Sequence, residues 1–329
     1  MKKNRFYFWA SDLRENSGEG ILANKFLADI KKYNKNYILI NINKNRDNYD
    51  TFFNKYILNF FGAIKLWKYY FKGYKIIYIN YLPIWNFIIF LILPPKTIFG
   101  PITGTLLYNK ESLFDYICRG VLLTTFINIG LFIIFLRKKK ILFSTELLKH
   151  NIKKNKYTKC YFNYVLQIFT GFWNGKNKRK IDFLIYNRNH KNKSNTLVEN
   201  FIKSSDIKYK FVVIGDPINL KNVINKGYIS RDKLKLLLKN TKYTFGSGEN
   251  LYTLFLLDSI SNGVFIFYDK KLKIYNSQIR YNKMLPIDYN NILNSIKYIV
   301  RKINSKKIFL KNKNYFEKKN YEEYFKNNL

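Results

Sequence analysis

Short apolar runs rich in Ile, Tyr and Phe recur along the chain, separated by longer segments whose apolar residues fall at helical spacing. In the first half the runs predict strands at residues 5–9, 37–41, 74–80, 98–100 and 140–144. Between them, helices are predicted at 20–32, 51–71, 84–93 and 111–136. Alternation of this kind implies an α/β domain, a parallel sheet with helices on both faces. Residues 173–180 interrupt it with the turn dipeptide Asn174-Gly175 and a run of basic side chains, and read as an interdomain linker. The alternation then restarts, with strands at 181–186, 208–214, 243–245 and 264–267 and helices at 196–204, 231–240, 251–262 and 289–303. The tail, 314–329, reads as one more amphipathic helix. The expected organisation is therefore a first domain at 1–174, a second at 175–310 and a terminal helix at 311–329 that packs back towards the first domain. Open parallel sheets bind ligands at the carboxyl ends of their strands, so two such domains place the expected site in the cleft between them.

Composition supports large cores: 47% of the residues are apolar and 19% aromatic, which argues against disorder despite the charge. Cys118 and Cys160 have no metal-ligand spacing and read as buried thiols of a reducing, cytoplasmic compartment. The charge changes the picture more. Against 59 Lys and Arg stand 21 Asp and Glu, a formal net charge of +38. Codon usage of an AT-rich genome explains abundant lysine better than scarce acid, and a field of this size attracts a polyanion, either nucleic acid or an anionic leaflet. No signal peptide is evident, because the apolar residues 6–10 are too few and Asp12 and Glu15 follow them. The apolar stretches 121–136 and 84–94 fall short of the roughly 20 residues that span a bilayer, and read as core helices or interfacial anchors.

The richest segment chemically is 246–267. A strand ends, a loop with Gly246, Gly248 and Glu249 follows, a helix is expected from Asn250 as N-cap, Asp258 lies two turns on, and Gly263 precedes another apolar strand. Backbone N–H groups at such a helix start favour a diphosphate. This order resembles the donor-binding segment of glycosyltransferase family 4, retaining enzymes of the two-domain GT-B fold. In that family a loop acid lies near the transferred sugar and an acid on the helix binds the nucleotide ribose, with seven residues between two glutamates. Here Glu249 is one residue too far from Asp258 and Asn250 holds the register. Either the loop carries one extra residue and Glu249 serves, the preferred assignment, or Asn250 replaces the first acid. Arg188 and Lys193, after the strand at 181–186, match the separation of the family's phosphate-binding Arg and Lys. Phe211-Val212-Val213-Ile214-Gly215-Asp216 resembles the family's next strand and turn. Gly227-Tyr228-Ile229-Ser230-Arg231 resembles its glycine-plus-helix segment beside the nucleotide base.

Taken singly, Arg188 and Lys193 read as solvated charges, Glu249 as a capping acid and Asp258 as part of a capping network; the order of all four segments favours a site. In the first domain, Ser17-Gly18-Glu19-Gly20 matches the position of the family's glycine-rich loop, with an ordinary helix start as the alternative. The family's histidine beside the sugar has no counterpart, since His150 and His190 sit in other contexts.

The resemblance implies transfer with retention and no cofactor or metal. Arg188, Lys193 and the helix start would stabilise the departing nucleoside diphosphate, Glu249 would bind sugar hydroxyls, and Asp258 the ribose. The implied partners are a nucleotide sugar and a glycan or lipid-linked acceptor, as in bacterial surface polysaccharide or lipooligosaccharide synthesis. The helix at 51–71, with Lys55, Lys65, Lys68 and Lys72 among aromatics, adds an anionic membrane surface and a peripheral place on the inner face of the cell membrane. A nucleic-acid-binding protein is the alternative, though no helix-turn-helix, zinc-finger or RNP signature is present and no nucleic-acid partner is expected. A catalytically inactive partner subunit of the same fold is the other alternative.

Overall fold

Phe6–Trp9 (β1) is four apolar residues in a row, all buried, as a central parallel strand covered on both faces requires. In the computed structural model β1 leads to α1 (Gly18–Tyr33), β2 (Tyr37–Ile40), α2 (Leu58–Phe71), β3 (Lys75–Tyr78), α3 (Phe87–Ile92) and β4 (Ile98–Phe99). The structure describes residues 5–10, 12–15, 17–33, 37–40, 57–79, 83–104, 116–138, 140–173, 179–188, 196–205, 209–246, 252–270, 279–304, 314–317 and 319–329. Among these, the first four strands form a parallel sheet in the order β2-β1-β3-β4, with Phe6 opposite both Tyr37 and Lys75. A π-helical segment, Tyr116–Leu122, runs into α4 (Leu123–Arg137). The strand expected at 140–144 is only β5 (Ile141–Leu142), paired in parallel with β6 (Cys160–Tyr161) and joined to the β4 side by the single bridge Ile102–Phe143.

The alternation of β1 sorts the core. Tyr7 and Trp9 face a cluster built with α2, α3 and α4, including Leu66, Phe90 and Ile134. Phe6 and Phe8 face a second cluster with Phe26 of α1. That second cluster is completed by the chain terminus: α9 (Glu322–Asn328) buries Tyr324 and Phe325 there, and the Tyr324 hydroxyl donates to the Phe99 carbonyl at 2.6 Å. The helix expected over 314–329 is thus confined to Glu322–Asn328. Tyr315–Phe316 is instead a strand (β14), paired antiparallel with Ile279–Arg280 (β12).

The second unit contains β7 (Ile181–Asn187), α5 (Thr196–Ser204), β8 (Phe211–Gly215), β9 (Val223–Asn225), α6 (Arg231–Lys239), β10 (Thr241–Phe245), α7 (Leu254–Ser261), β11 (Phe265–Asp269), β13 (Met284–Ile287) and α8 (Ile292–Asn304). Its sheet is all parallel in the order β13-β11-β10-β7-β8-β9. Numbered along the chain this is 6-5-4-1-2-3, the doubly wound Rossmann order, with its reversal between β7 and β10. Phe183 of β7 sits at the centre of one face, with the rings of Phe201, Phe211, Tyr243 and Phe245 at 5.2–5.6 Å between centroids. The opposite face packs Leu184 and Val212 on Leu238 of α6 and Phe255 of α7.

The two compact units are Met1–Ile168 with Lys319–Leu329, and Phe169–Lys318. The described ends of the basic segment 173–180 are fastened into the second. The Trp173 N–H donates to the Ser261 carbonyl at 2.9 Å. Arg179 donates to the carbonyls of Thr241 and Asn262 and lies over the Trp173 ring.

Candidate functional site

In a doubly wound sheet each helix begins at the carboxyl edge of the strand before it, so the loops after β7, β8, β9 and β10 gather at one edge. The reversal between β7 and β10 leaves a crevice there. Arg188, the first residue after β7, is exposed at this edge. The edge is knitted by backbone contacts. Asp216 N–H donates to the Asn187 carbonyl at 3.0 Å, and the Asn187 amide returns a bond to the Asp216 carbonyl at 3.1 Å. Gly215 makes this approach possible: its φ is +88°, and a Cβ there would lie 2.2 Å from the Asn187 carbonyl oxygen.

Gly227, with φ of +62°, turns the chain from β9 into α6, and its carbonyl accepts from the Gly215 N–H. Ser230 caps α6, its hydroxyl accepting from the Lys233 N–H. Between them Tyr228 is 71% exposed, yet its hydroxyl is tied to the Asp216 carboxylate at 2.7 Å. That hydrogen bond, helped by partial burial, pushes the Tyr228 phenol up to about 12. Tyr186, whose ring packs on Phe255, is raised by burial, an effect opposed by the positive charge of Arg188. Nothing in the sequence gives Tyr228 a role; an aromatic residue directly after Gly227 is the signal that could mark it.

Asp258 is 3% exposed on α7, a helix buried from Phe255 to its end. A carboxylate there requires a partner, and Arg231, the first residue of α6, supplies it: Nη2 lies 2.7 Å from Oδ1 and Nε 2.9 Å from Oδ2. Both oxygens expected to meet a ribose are thus engaged by a guanidinium. The helix carrying Asp258 also begins later than expected. Thr253, not Asn250, is its N-cap, and the Thr253 hydroxyl accepts from the Leu256 N–H at 3.3 Å. Asn and Thr are both good caps, and the one directly before α7, whose residues are buried from Phe255 on, prevails. Lys193, Gly248, Glu249 and Asn250 lie outside the described residues.

In the first unit, Gly18 opens α1 and Ser17 is its cap, the hydroxyl accepting from the Gly20 N–H at 2.9 Å and donating to Asp12 at 2.6 Å. Asp12, itself buried, also receives the N–H and guanidinium of Arg14. A Cβ on Gly20 would fall 2.2 Å from the Arg14 carbonyl oxygen. Gly20 therefore lets the loop fold against the helix start. A cavity of about 570 Å³ in this unit opens at the other edge of the sheet, beside Tyr74, Lys75 and Ile98 at the amino ends of β3 and β4. Among the described residues no three His, Cys, Asp or Glu side chains cluster as metal ligands.

No family model matches the chain, and no curated protein matches it in sequence. Solved structures match its fold. A lipopolysaccharide outer core galactosyltransferase, WaaB in apo form, is 11% identical over 92% of this chain and 91% of that one, with a TM-score of 0.51. A Methanocaldococcus jannaschii UDP-GlcNAc 2-epimerase in complex with UDP-GlcNAc and UDP is 10% identical over 95% of both chains, with a TM-score of 0.51. The N-terminal domain of a Candida albicans trehalose-6-phosphate phosphatase is 10% identical over 94% of this chain and 92% of that one, with a TM-score of 0.50. At such identities the likeness is one of fold: the chain has two Rossmann-like domains of the GT-B type.

Proposed function

We propose that the protein is a glycosyltransferase that moves a sugar from a nucleoside-diphosphate sugar to a glycan or lipid-linked acceptor, with retention and without a bound metal, in surface-polysaccharide or lipooligosaccharide assembly. The observation that carries this reading is the edge at the β7/β10 reversal: an exposed arginine follows β7, a tyrosine tied to Asp216 follows β9 and the capped start of α7 follows β10, on a fold shared with a galactosyltransferase and a UDP-GlcNAc epimerase. The chemistry is electrostatic. As the bond from the anomeric carbon to the diphosphate breaks, negative charge grows on the leaving oxygen, and a cationic Arg188 with Lys193 stabilises it more than the ground state. The N–H groups at the start of α7 add a dipole of the same sign. Glu249 is assigned to the sugar hydroxyls, with Asn250 as the alternative at that register. Asp258 acts on the nucleotide through Arg231, whose guanidinium it aims.

The test is a thermal-shift screen against UDP, GDP, ADP, CMP and their sugar conjugates, with and without EDTA. Stabilisation by one nucleoside diphosphate, unchanged by EDTA and lost in Arg188→Ala, supports the reading. Silence towards all of them, with tight salt-sensitive binding to RNA or DNA, would replace it with the nucleic-acid alternative.

A further inference from the structure

The helices on one face of the first sheet expose an unusual amount of aliphatic surface. Gly120–Arg137 has a mean hydropathy of 2.0, yet only 28% of it is buried. A core helix of that composition would be covered. Its inner face carries Ile127, Gly130, Leu131 and Ile134, packed so closely that a Cβ on Gly130 would lie 2.1 Å from the Ile84 carbonyl oxygen. Its outer face carries Leu122, Phe126, Ile129, Phe132 and Leu136 in one stripe, with Phe132 62% and Leu136 71% exposed. The stripe continues sideways. α3 is pinned to α4 by Arg137, which donates to the carbonyls of Phe90, Leu93 and Pro94, and to α2 by the Trp67 indole, 2.7 Å from the Ile92 carbonyl. These neighbours expose Ile88 and Leu91 on α3, and Phe61, Ile64 and Phe71 on α2. An outward apolar layer of this kind marks an interaction surface.

Charge identifies what covers it. α2, α3, the π-helical segment and α4 together contain no Asp or Glu; of the other helices α1, α5, α6, α7 and α9 each carry at least one, and α8 carries none. Exposed Lys65, Lys68 and Lys72 stand among the exposed apolar residues of α2. Aliphatic side chains flanked by lysines and free of acid match the boundary between acyl chains and anionic headgroups. We propose that this three-helix layer docks the protein in the plane of an anionic lipid bilayer, with α4 as the apolar anchor and the lysines of α2 on the headgroups. α4 does not cross the bilayer, because its inner face belongs to the core of its own unit. The expected anchor, the helix at 51–71, is thus one flank of a surface centred on α4. The inference stands independently of the donor site, which lies in the other unit.

The test is co-sedimentation of the full chain with vesicles of phosphatidylcholine alone and of phosphatidylcholine with phosphatidylglycerol in equal parts. Two variants accompany it: Phe126→Ser/Phe132→Ser/Leu136→Ser, at exposed positions, and Lys65→Glu/Lys68→Glu/Lys72→Glu. Circular dichroism and the thermal midpoint certify that both fold. Wild type should bind the anionic vesicles preferentially and less well at high salt. The serine variant should lose about tenfold or more in partitioning, and the glutamate variant should lose the preference for anionic lipid. Phe132→Trp should gain fluorescence quenched more by shallow than by deep nitroxide lipids. The proposal fails if wild type ignores the vesicles, if the serine variant binds as well as wild type, if deep quenching dominates, or if light scattering shows a dimer that the serine variant dissociates and vesicles do not.

Discussion

Asp258 and Arg231 offer the sharpest test of how the second unit supports its site. Their side chains are 5% and 22% exposed, and the bond between them is two-pronged. Removing one partner of a fully buried pair costs about 3–5 kcal/mol, because the other charge is left without solvent or counter-charge. The two removals are not equivalent here. Arg231→Ala strands a carboxylate inside a buried helix and should cost about 3 kcal/mol or more. Asp258→Ala strands a guanidinium on a flexible stem that already reaches solvent, and should cost about 2 kcal/mol. In the double variant neither charge is stranded, so the coupling from the four-member cycle should be about 2 kcal/mol.

Differential scanning fluorimetry of the four proteins is the assay. For a unit of this size 1 kcal/mol moves the midpoint by roughly 2–4 °C, so the single variants should fall by about 4–12 °C. Nucleoside diphosphate affinity should fall by a similar factor in each single variant and no further in the double, because Asp258 acts through Arg231. Additive losses, with coupling below about 0.5 kcal/mol, would refute the pairing as the reason Asp258 is buried. A loss of affinity confined to the Asp258 variants would return that carboxylate to the ribose.

Two predictions concern the first unit. Burial alone would raise the Asp29 carboxyl, but hydrogen bonds from Lys25, Tyr164 and Lys32 outweigh it and hold the group below the usual carboxylate range. Its stabilisation is therefore present above the unfolded value near 3.8 and is lost as pH falls through the folded one. Urea titrations across pH should show Asp29→Asn less stable by about 1–3 kcal/mol at pH 7, with the gap closing in acid; a gap independent of pH would sink the idea. Lys138 is the reverse case: burial, then the neighbouring Arg137, pulls its ammonium down from 10.5 to about 8. The charged form is penalised at neutral pH and the penalty fades as pH rises from about 8 to 10.5, so wild-type stability should climb across that window. Lys138→Met should be stabilising at pH 7 by an amount on the order of 1–3 kcal/mol, and that advantage should vanish near pH 11. A destabilised Lys138→Met at neutral pH would show that the ammonium is held by a favourable contact, such as the Phe99 ring 5.1 Å away.

Strands with uninterrupted apolar runs were legible because central parallel strands are buried on both faces; Phe6–Trp9 and Phe211–Gly215 say as much in their letters. The edge strands of the second sheet were not. β13 contains Pro286, which argues against a strand except at an edge, and β9 is three residues with an asparagine at its end. β14 exists through its distant pairing with β12, which no local pattern carries. In the site, its place two turns into the expected helix drew attention to Asp258, but its partner Arg231 comes from another helix and is fixed by packing. α4 gave no helical moment because both faces are apolar, so its periodicity did not say which face was inside.

That ambiguity bears on the charge. Five of the 21 acids are engaged by neighbours in the chain: Asp12 by Arg14 and Ser17, Asp29 by two lysines and Tyr164, Asp182 by Lys242, Asp258 by Arg231, and Asp288 by Lys270. The other sixteen acids are far outnumbered by the 59 Lys and Arg, and a net charge of +38 attracts an anionic partner wherever it is concentrated. Nucleic acid and a membrane surface both satisfy that demand, but they differ in what else they can cover. A phosphate backbone offers nothing to an aliphatic stripe; its apolar contacts are with flat bases, and aromatic rings take them. Exposed Ile64, Ile88, Leu91, Ile129 and Leu136 would stay in water against a nucleic acid and leave water against acyl chains. At about 25 cal/mol per Å² of apolar surface, that difference alone is worth several kcal/mol across the layer. The combination of lysine without acid and aliphatic without cover therefore favours lipid at this face, where either feature alone would not.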